Sequence, residues 1–490
     1  MKQRSLKVNW FYNTLSSVLR IVFPLITVPY IARVLSPEGV GLFNFANTYV
    51  SWFALVAALG VPTYAVREIA RVREDREALQ RLTDQLFSIT VFTTLIVSAV
   101  YLLTIFCIPK LSADLAVFLV IGFVLYLTPI SIDWFYFGVE DFKYVALRSL
   151  VIKTLCVVAL FVFVKTREDL LIYVVINVLN GVINNVWNYV KLRRAGIHPH
   201  IVTEGLRQHM TPVLTLFAST VAISVYTLLD TVMLGFIKDY QQVAYYSCAS
   251  NITKMIVAVV TSLSVVTVPR VSAMLKDGDR DGIKELADKS FSFIILLVIP
   301  AAVGLCCVAR PFVPLFYGPL YDGVILPLQI LSFVIVAIGL NNLAGMQLLV
   351  AMGRDRAYLM AIVAGAVLNF AGNCALIPSL GAVGAACTSL AAETLILLLM
   401  LRSIRRETFV RLSLAQVSIK SLLGALLLVP LALLMARAMH GWPLVISYII
   451  VGAALYFAIQ RALHNPALDI LEEAVRNSLV KNGFIKEQQR

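Results

Sequence analysis

Between Lys289 and Arg310 the chain reads SFSFIILLVIPAAVGLCCVA, residues 290–309, twenty residues without a charge. A helix that crosses a bilayer needs about 20 mostly apolar residues, because its backbone polar groups find no water in hydrocarbon. A strand of a membrane barrel would alternate apolar and polar instead, and residues 294–303 are continuously apolar. This run is therefore read as a membrane-spanning helix.

The same pattern recurs along the chain, punctuated by turns such as Ser36-Pro37-Glu38-Gly39, Pro109-Lys110, Lys238-Asp239 and Gly353-Arg354-Asp355. The first six expected helices are 10–33, 40–64, 84–107, 115–137, 144–164 and 170–190. Then come 210–236, 243–268, 290–309, 325–350, 357–377 and 382–401, and a last pair, 417–437 and 442–462. Composition agrees: 60% of the 490 residues are hydrophobic and 14% charged, against about 25% charged in soluble proteins. Mean hydropathy is +0.85. The expected class is an all-α membrane protein with 14 transmembrane helices and both termini cytoplasmic. The basic first seven residues resemble a signal peptide's start, but the apolar stretch that follows is long and lacks a small-residue cleavage site. It is read as a retained first helix.

Charge placement fixes the orientation. Of the 41 Lys and Arg residues, 31 fall on one side of these helices, 7 on the other and 3 within spans. Basic loops stay cytoplasmic, so the richer side is inside. A miscounted helix would invert the bias for every later loop, and it never inverts. The net charge of +13 is spread over these short loops, which points to membrane lipids and not to nucleic acid.

A faint repeat divides the chain. Residues 40–46, VGLFNFA, precede residues 243–249, VAYYSCA, by 203 positions, and each opens an apolar span that ends near an arginine, Arg67 or Arg270. The expected organisation is an N-terminal six-helix bundle over 1–190, a cytoplasmic connecting loop over 191–209 and a pseudo-symmetric six-helix bundle over 210–401. Helices 13 and 14 follow over 402–462, then a cytoplasmic amphipathic tail over 463–490. Duplication of this kind is common in secondary transporters.

Polar residues inside the spans share faces. Asn13, Ser17, Arg20, Pro24 and Thr27 step by three or four, as do Tyr173, Asn177, Asn180, Asn184 and Asn188. Ser247, Asn251 and Lys254 form another such line, and the seventh helix adds Ser219, Tyr226 and Asp230. Asparagines often serve as glue between helices, at about 0.6 kcal/mol each. A buried cation is different, costing about 2.5–3.5 kcal/mol on insertion scales. Arg20 and Lys254 therefore either pair with a carboxylate such as Asp230 or line a hydrated cavity suited to an anion.

The expected cationic binding residues are Arg20, Lys254, Lys153, Arg33 and Arg270. The expected polar ones are Asn13, Asn177, Asn180, Asn184, Tyr226 and Asn251. Lys153 could instead snorkel, and Arg33 and Arg270 could be interface charges. Asp133, beside Trp134 and Tyr136, sits where an interfacial belt is expected. Asp230 and Glu393 are the candidates for binding a coupling ion. No catalytic constellation, metal-ligand spacing or phosphate-binding loop is visible, so neither an enzyme nor an ATP-driven pump is expected. The seven cysteines lie in or beside apolar segments, as packing residues do.

Three motifs resemble a known family. Asn13-Thr14 to Arg20 with residues 29–35, PYIARVL, and Gly39-Val40-Gly41 looks like the first helix and turn of Wzx-type repeat-unit flippases. These form the polysaccharide transporter branch of the multidrug/oligosaccharidyl-lipid/polysaccharide exporter superfamily. Residues 230–235, DTVMLG, resemble that family's seventh-helix motif. Asn369 with Asn373, Ile377-Pro378 and residues 381–386, GAVGAA, resemble its eleventh-to-twelfth hairpin.

The resemblance covers residues 8–462. It implies fourteen helices in two bundles around a cavity, and alternating access. It implies transfer of an undecaprenyl-pyrophosphate-linked oligosaccharide repeat unit to the periplasmic leaflet of a bacterial inner membrane. It also implies H+ or Na+ coupling without a bound cofactor, and functional association with a polymerase and a chain-length regulator. Lipid II flippases and multidrug antiporters are related alternatives, and a membrane polysaccharide polymerase is the rival outside the superfamily. Such polymerases usually carry a sizeable periplasmic loop, whereas the outside loops here span about 4–15 residues by these boundaries.

Overall fold

The computed structural model describes residues 6–261, 264–410 and 415–469. The side chains of residues 6–22, 219, 222, 223, 225–227, 265, 266, 407, 415 and 416 lie outside that description. Among the described residues every regular element is helical. Among the described residues, eleven helices are long and apolar enough to cross a membrane, or twelve if a bent pair is one span. The chain is a multi-pass membrane protein.

The uncharged run 290–309 lies in α13, Arg280–Phe316, which extends it at both ends. Asp279 caps this helix by accepting from the Gly282 backbone N–H at 2.8 Å. Ile294, Ile295, Leu296 and Val298 pack inward with at most 3% exposure.

Several expected boundaries shift for local reasons. The first two expected spans form α1, Leu6–Ala58, interrupted at Ser36 with φ 65° and ψ 165°. Ser36 precedes Pro37, whose ring disfavours a helical residue before it. The second span then ends at Ala58, not at 64. Gly60 takes a left-handed φ of 75°, and Pro62 starts α2, Val61–Val72. α2 turns Val61, Tyr64, Ala65 and Ile69 inward and leaves Arg67 and Arg71 exposed, so much of the expected 65–83 loop is an amphipathic helix. Asp75 caps α3, Arg76–Cys107, through the N–H groups of Glu77 and Ala78.

The fourth expected span, 115–137, is broken. α4 (Pro109–Ser112) leads into α5 (Leu115–Ile121) and α6 (Phe123–Tyr126). A 3₁₀ turn at Thr128–Ile130 containing Pro129 then leads into α7 (Asp133–Gly138), with a bend of 40°. Proline lacks the N–H that a continuous helix needs here. α8 (Phe142–Phe163), α9 (Leu170–Arg194), α10 (Arg207–Ile237) and α11 (Tyr240–Thr261) follow. Beyond them come α12 (Ser264–Lys276), α13, α14 (Ile325–Asn341), a π-helical run at Asn342–Val350, α15 (Asp355–Leu380) and α16 (Ala382–Glu407). The helices α17 (Ala415–Leu426), α18 (Leu428–Ala438) and α19 (Gly441–Ala462) end the described spans. The expected amphipathic tail falls outside the described residues beyond position 469.

The chain separates into two compact units, Met1–Ala244 and Tyr245–Arg490. In the first, α1 packs on α3, α8 and α10. One apolar cluster joins the inward face of α2 to Leu79, Leu82 and Leu86 of α3 and to Trp134–Tyr136 of α7. In the second, α14 and α15 pack on α16, while α14, α17 and α19 pack on α13.

Candidate functional site

The break in the fourth span has a chemical consequence: it turns Asp133 toward α8 and α9. Arg148 of α8 is 4% exposed, and each of its three guanidinium nitrogens has a partner. Nη2 meets Asp133 Oδ1 at 3.0 Å, Nε donates to Asn184 Oδ1 at 2.8 Å, and Nη1 donates to Asn188 Oδ1. Asn188 Nδ2 in turn donates to Asp133 Oδ1 at 2.6 Å, and Tyr136 Oη donates to the Asn188 carbonyl at 2.8 Å. A buried guanidinium is tolerated when its donors find acceptors of this kind. Just beyond it, Lys191 bonds Asp141 at 2.9 Å and lies 3.2 Å from the Tyr144 ring centroid, a cation–π contact.

Above this clamp opens a cavity of about 420 Å³, lined by Asp133, Arg148, Lys153, Asn180, Asn184 and Asn185 among others. Lys153 Nζ stands 5.4 Å from the ring centroid of Phe23, which also lines the space. Gly181 lines it too, and a Cβ there would meet nothing within 4 Å. The formal charges, two cations and one carboxylate, leave a net positive site. Its amides and the 41% exposed Asp133 side chain can accept and donate to hydroxyl groups.

The structure brings together Lys153, Asn180 and Asn184 of the expected residues. Asn177 of the same stripe is exposed and bonds only one turn back, to the Tyr173 carbonyl at 2.8 Å. Arg33, Asn251, Lys254 and Arg270 are exposed elsewhere. The side chains of Asn13, Arg20 and Tyr226 lie outside the description. Asp230 is buried at 5% in α10, and Glu393 at 6% in α16. The expected site residues leave out Arg148, the centre of the network, and Asp133 is expected only at an interfacial belt. An arginine inside the expected 144–164 span, facing asparagines four residues apart, was the available signal.

The second unit holds its own buried polar groups. Asn373 donates to Asn369 Oδ1 at 3.1 Å and accepts from Thr388. Tyr246 and Ser389 bond through their hydroxyls at 3.0 Å. Asn341 Nδ2 donates to Glu393 Oε2 at 2.6 Å.

Within the first unit, His209 at the start of α10 bridges Tyr64 Oη at 2.9 Å and Gln85 Oε1 at 2.8 Å. Gln85 Nε2 donates to the Glu204 carbonyl, which fixes the amide. His209 Nε2 therefore carries the proton, and Nδ1 accepts from Tyr64. Burial lowers the His209 pKa below its ordinary value, against a smaller opposing pull from Glu68.

Comparison with known proteins agrees with this frame. The profile of the family described as Polysaccharide biosynthesis protein matches residues 6–275, and a MatE profile matches 216–374. A protein of Escherichia coli (strain K12) named "Putative O-antigen transporter" is 24% identical over 422 residues, 82% of this chain and 97% of its own. Among solved structures, lipid II flippase MurJ in an inward closed conformation superposes with a TM-score of 0.73 at 14% identity, over 92% of this chain and 98% of its own. An inward-facing multidrug resistance MATE family transporter of the MOP superfamily gives 0.60 at 14% identity, over 78% and 94%. The chain belongs to the polysaccharide biosynthesis protein family, a polysaccharide transporter branch of the multidrug/oligosaccharidyl-lipid/polysaccharide exporter superfamily.

Proposed function

We propose that this protein is a flippase that moves an undecaprenyl-pyrophosphate-linked oligosaccharide repeat unit from the cytoplasmic to the periplasmic leaflet of a bacterial inner membrane by alternating access. The observation that carries this reading is the 420 Å³ cavity in the first unit, where Lys153 and the clamped Arg148 stand among Asn180, Asn184 and Asn185. Such a lining suits a hydroxylated and anionic group: amides for sugar hydroxyls, ammonium for phosphate or an acidic sugar. A drug cation would be better served by an acidic lining. The E. coli relative's name points to the same class of cargo.

Fourteen spans remain our reading. The Ser36 break divides α1 into two, the bent pair serves as one span, and α10 holds a shorter apolar stretch at Leu228–Ile237. Two pseudo-symmetric six-helix bundles also remain our reading. It is supported by the close approach of Gly41 to Ala244, its counterpart 203 residues on: a Cβ at Gly41 would lie 3.2 Å from the Ala244 nitrogen. Arg20, Asp230 and the other expected residues outside the cavity stay proposed contributors to the transport path.

A lipid II flippase is the second reading, favoured by the extent of the MurJ-like fold. Binding to purified protein separates the two. Native mass spectrometry with undecaprenyl-pyrophosphate-linked repeat unit, undecaprenyl pyrophosphate alone and lipid II should show preference for the repeat unit, lost in Lys153→Ala. Preference for lipid II would favour the second reading.

A further inference from the structure

Glu393 belongs to the second unit. It lies in the middle of α16, 6% exposed, and its carboxylate partner is the neutral amide of Asn341, at 2.6 Å from Oε2. The same amide also donates to the Glu393 backbone carbonyl at 3.1 Å. Among the described residues no ion pair involves Glu393. Several elements pack on this part of α16. α14 and the π-helical run contain no titratable side chain, while α11 brings Tyr246, whose hydroxyl bonds Ser389 one turn before Glu393, and also carries Tyr245, Cys248 and Lys254. α15 contributes Asp355, Arg356 and Tyr358 at its start and Cys374 further on. α16 itself carries Cys387 before the site and Arg402, Arg405 and Arg406 beyond it.

A carboxylate in an apolar interior without a cation is costly, and taking up a proton removes the cost. The surroundings are ready for either form. Asn341 Nδ2 serves the ionised carboxylate, while Asn341 Oδ1, buried, has no hydrogen-bond partner. That oxygen is an acceptor of the kind a carboxylic acid O–H requires. A neighbouring cavity of about 140 Å³ is lined by Leu340, Leu343, Ala344 and Leu397 among others, with Ser418 its single polar side chain. A hydrated metal cation would need several oxygens and water, which these walls do not supply. Asn341 also marks the point where the α-helix passes into nine residues of π-helix, Asn342–Val350. Such wide turns are rare and gather at functional sites.

We propose that Glu393 is a proton-exchanging carboxylate, taking up one proton and releasing it during the transport cycle. The O–H bond forms on one oxygen and later breaks, with no other bond changed, and Asn341 serves both forms. The proposal rests on the chain's being a transporter, but its first test does not.

Infrared difference spectra of the purified protein, titrated with acid, should show a carboxylic acid carbonyl band that disappears in Glu393→Gln and moves in Asn341→Ala. Absence of any band that either substitution alters would overturn the proposal, whatever the protein transports. In proteoliposomes, a pH gradient should change the rate of lipid-linked saccharide movement at least five-fold in wild type. Glu393→Gln should remove that response while downhill movement persists. A Glu393→Gln protein that keeps the pH response, or a wild type driven by a sodium gradient at constant pH and indifferent to the pH gradient, would also overturn it. No saccharide movement in wild type, with the infrared band present, would count against the flippase reading and leave the proton site supported.

Discussion

Arg148 and Asp133 meet at 3.0 Å across the break in the fourth span, the arginine side chain 2% exposed and the aspartate 41%. The asymmetry defines their roles. Arg148 is held through all three nitrogens and anchors α8 to α9, while Asp133 is partly exposed and lines the cavity. Replacing Arg148 by Ala strands the acceptors of Asn184, Asn188 and Asp133. A loss of about 2 kcal/mol is expected, less than for a fully buried pair because water reaches the aspartate. Asp133→Asn retains an acceptor for Nη2 and should cost less. Thermal unfolding in detergent with both variants checks the order, and equal losses would contradict it.

Lys153 is the cation that borders the cavity without belonging to the clamp. A charge-assisted hydrogen bond to the cargo contributes about 1.5–3 kcal/mol, so Lys153→Ala should weaken binding roughly ten- to hundred-fold. Lys153→Arg should recover most of the affinity. Titration of the three purified proteins with the lipid-linked saccharide measures this.

Two glycines should respond in opposite ways. A Cβ at Gly41 would overlap the Tyr240 carbonyl, a backbone atom that cannot swing away, so Gly41→Val should sharply reduce folded yield. Gly181 has open space around it, so Gly181→Leu should fold normally yet fill part of the cavity and slow transport. Size-exclusion profiles give the first outcome, and flux normalised to folded protein gives the second.

How much of this was legible beforehand depended on the kind of signal. Long uncharged runs such as 290–309 mark spans whatever their neighbours, so the helical membrane class and most spans followed from hydropathy. The amphipathic α2 was hidden because Arg67 and Arg71 read as loop charges, whereas in the helix that starts after Gly60 they lie one turn apart on its exposed face. The break at Thr128–Ile130 was hidden because its flanks are apolar on both sides. The site was half legible for a related reason. The asparagine stripe on α9 is periodic, but its partner Arg148 comes from another helix, and only packing brings 148 to 184 and 188.

His209 offers a pH test outside the spans. Its pKa is lowered by burial between Tyr64 and Gln85, so the folded state resists protonating it. Stability is then fully present above the ordinary histidine value of about 6.5 and is lost as pH falls through the lowered one. The wild-type unfolding temperature should drop on acidification below about pH 6.5, and His209→Gln should flatten that drop. An identical slope in the variant would assign the acid sensitivity elsewhere.

The central claim concerns movement between leaflets, and one measurement tests it most directly. Purified protein in proteoliposomes is supplied with an undecaprenyl-pyrophosphate-linked repeat unit labelled on its saccharide. Accessibility from each side and chain length are then followed together. The account predicts protein-dependent transfer of saccharide to the opposite leaflet with its length unchanged, and a large loss in Lys153→Ala. Saccharide that stays in its leaflet, or that emerges elongated, would contradict it.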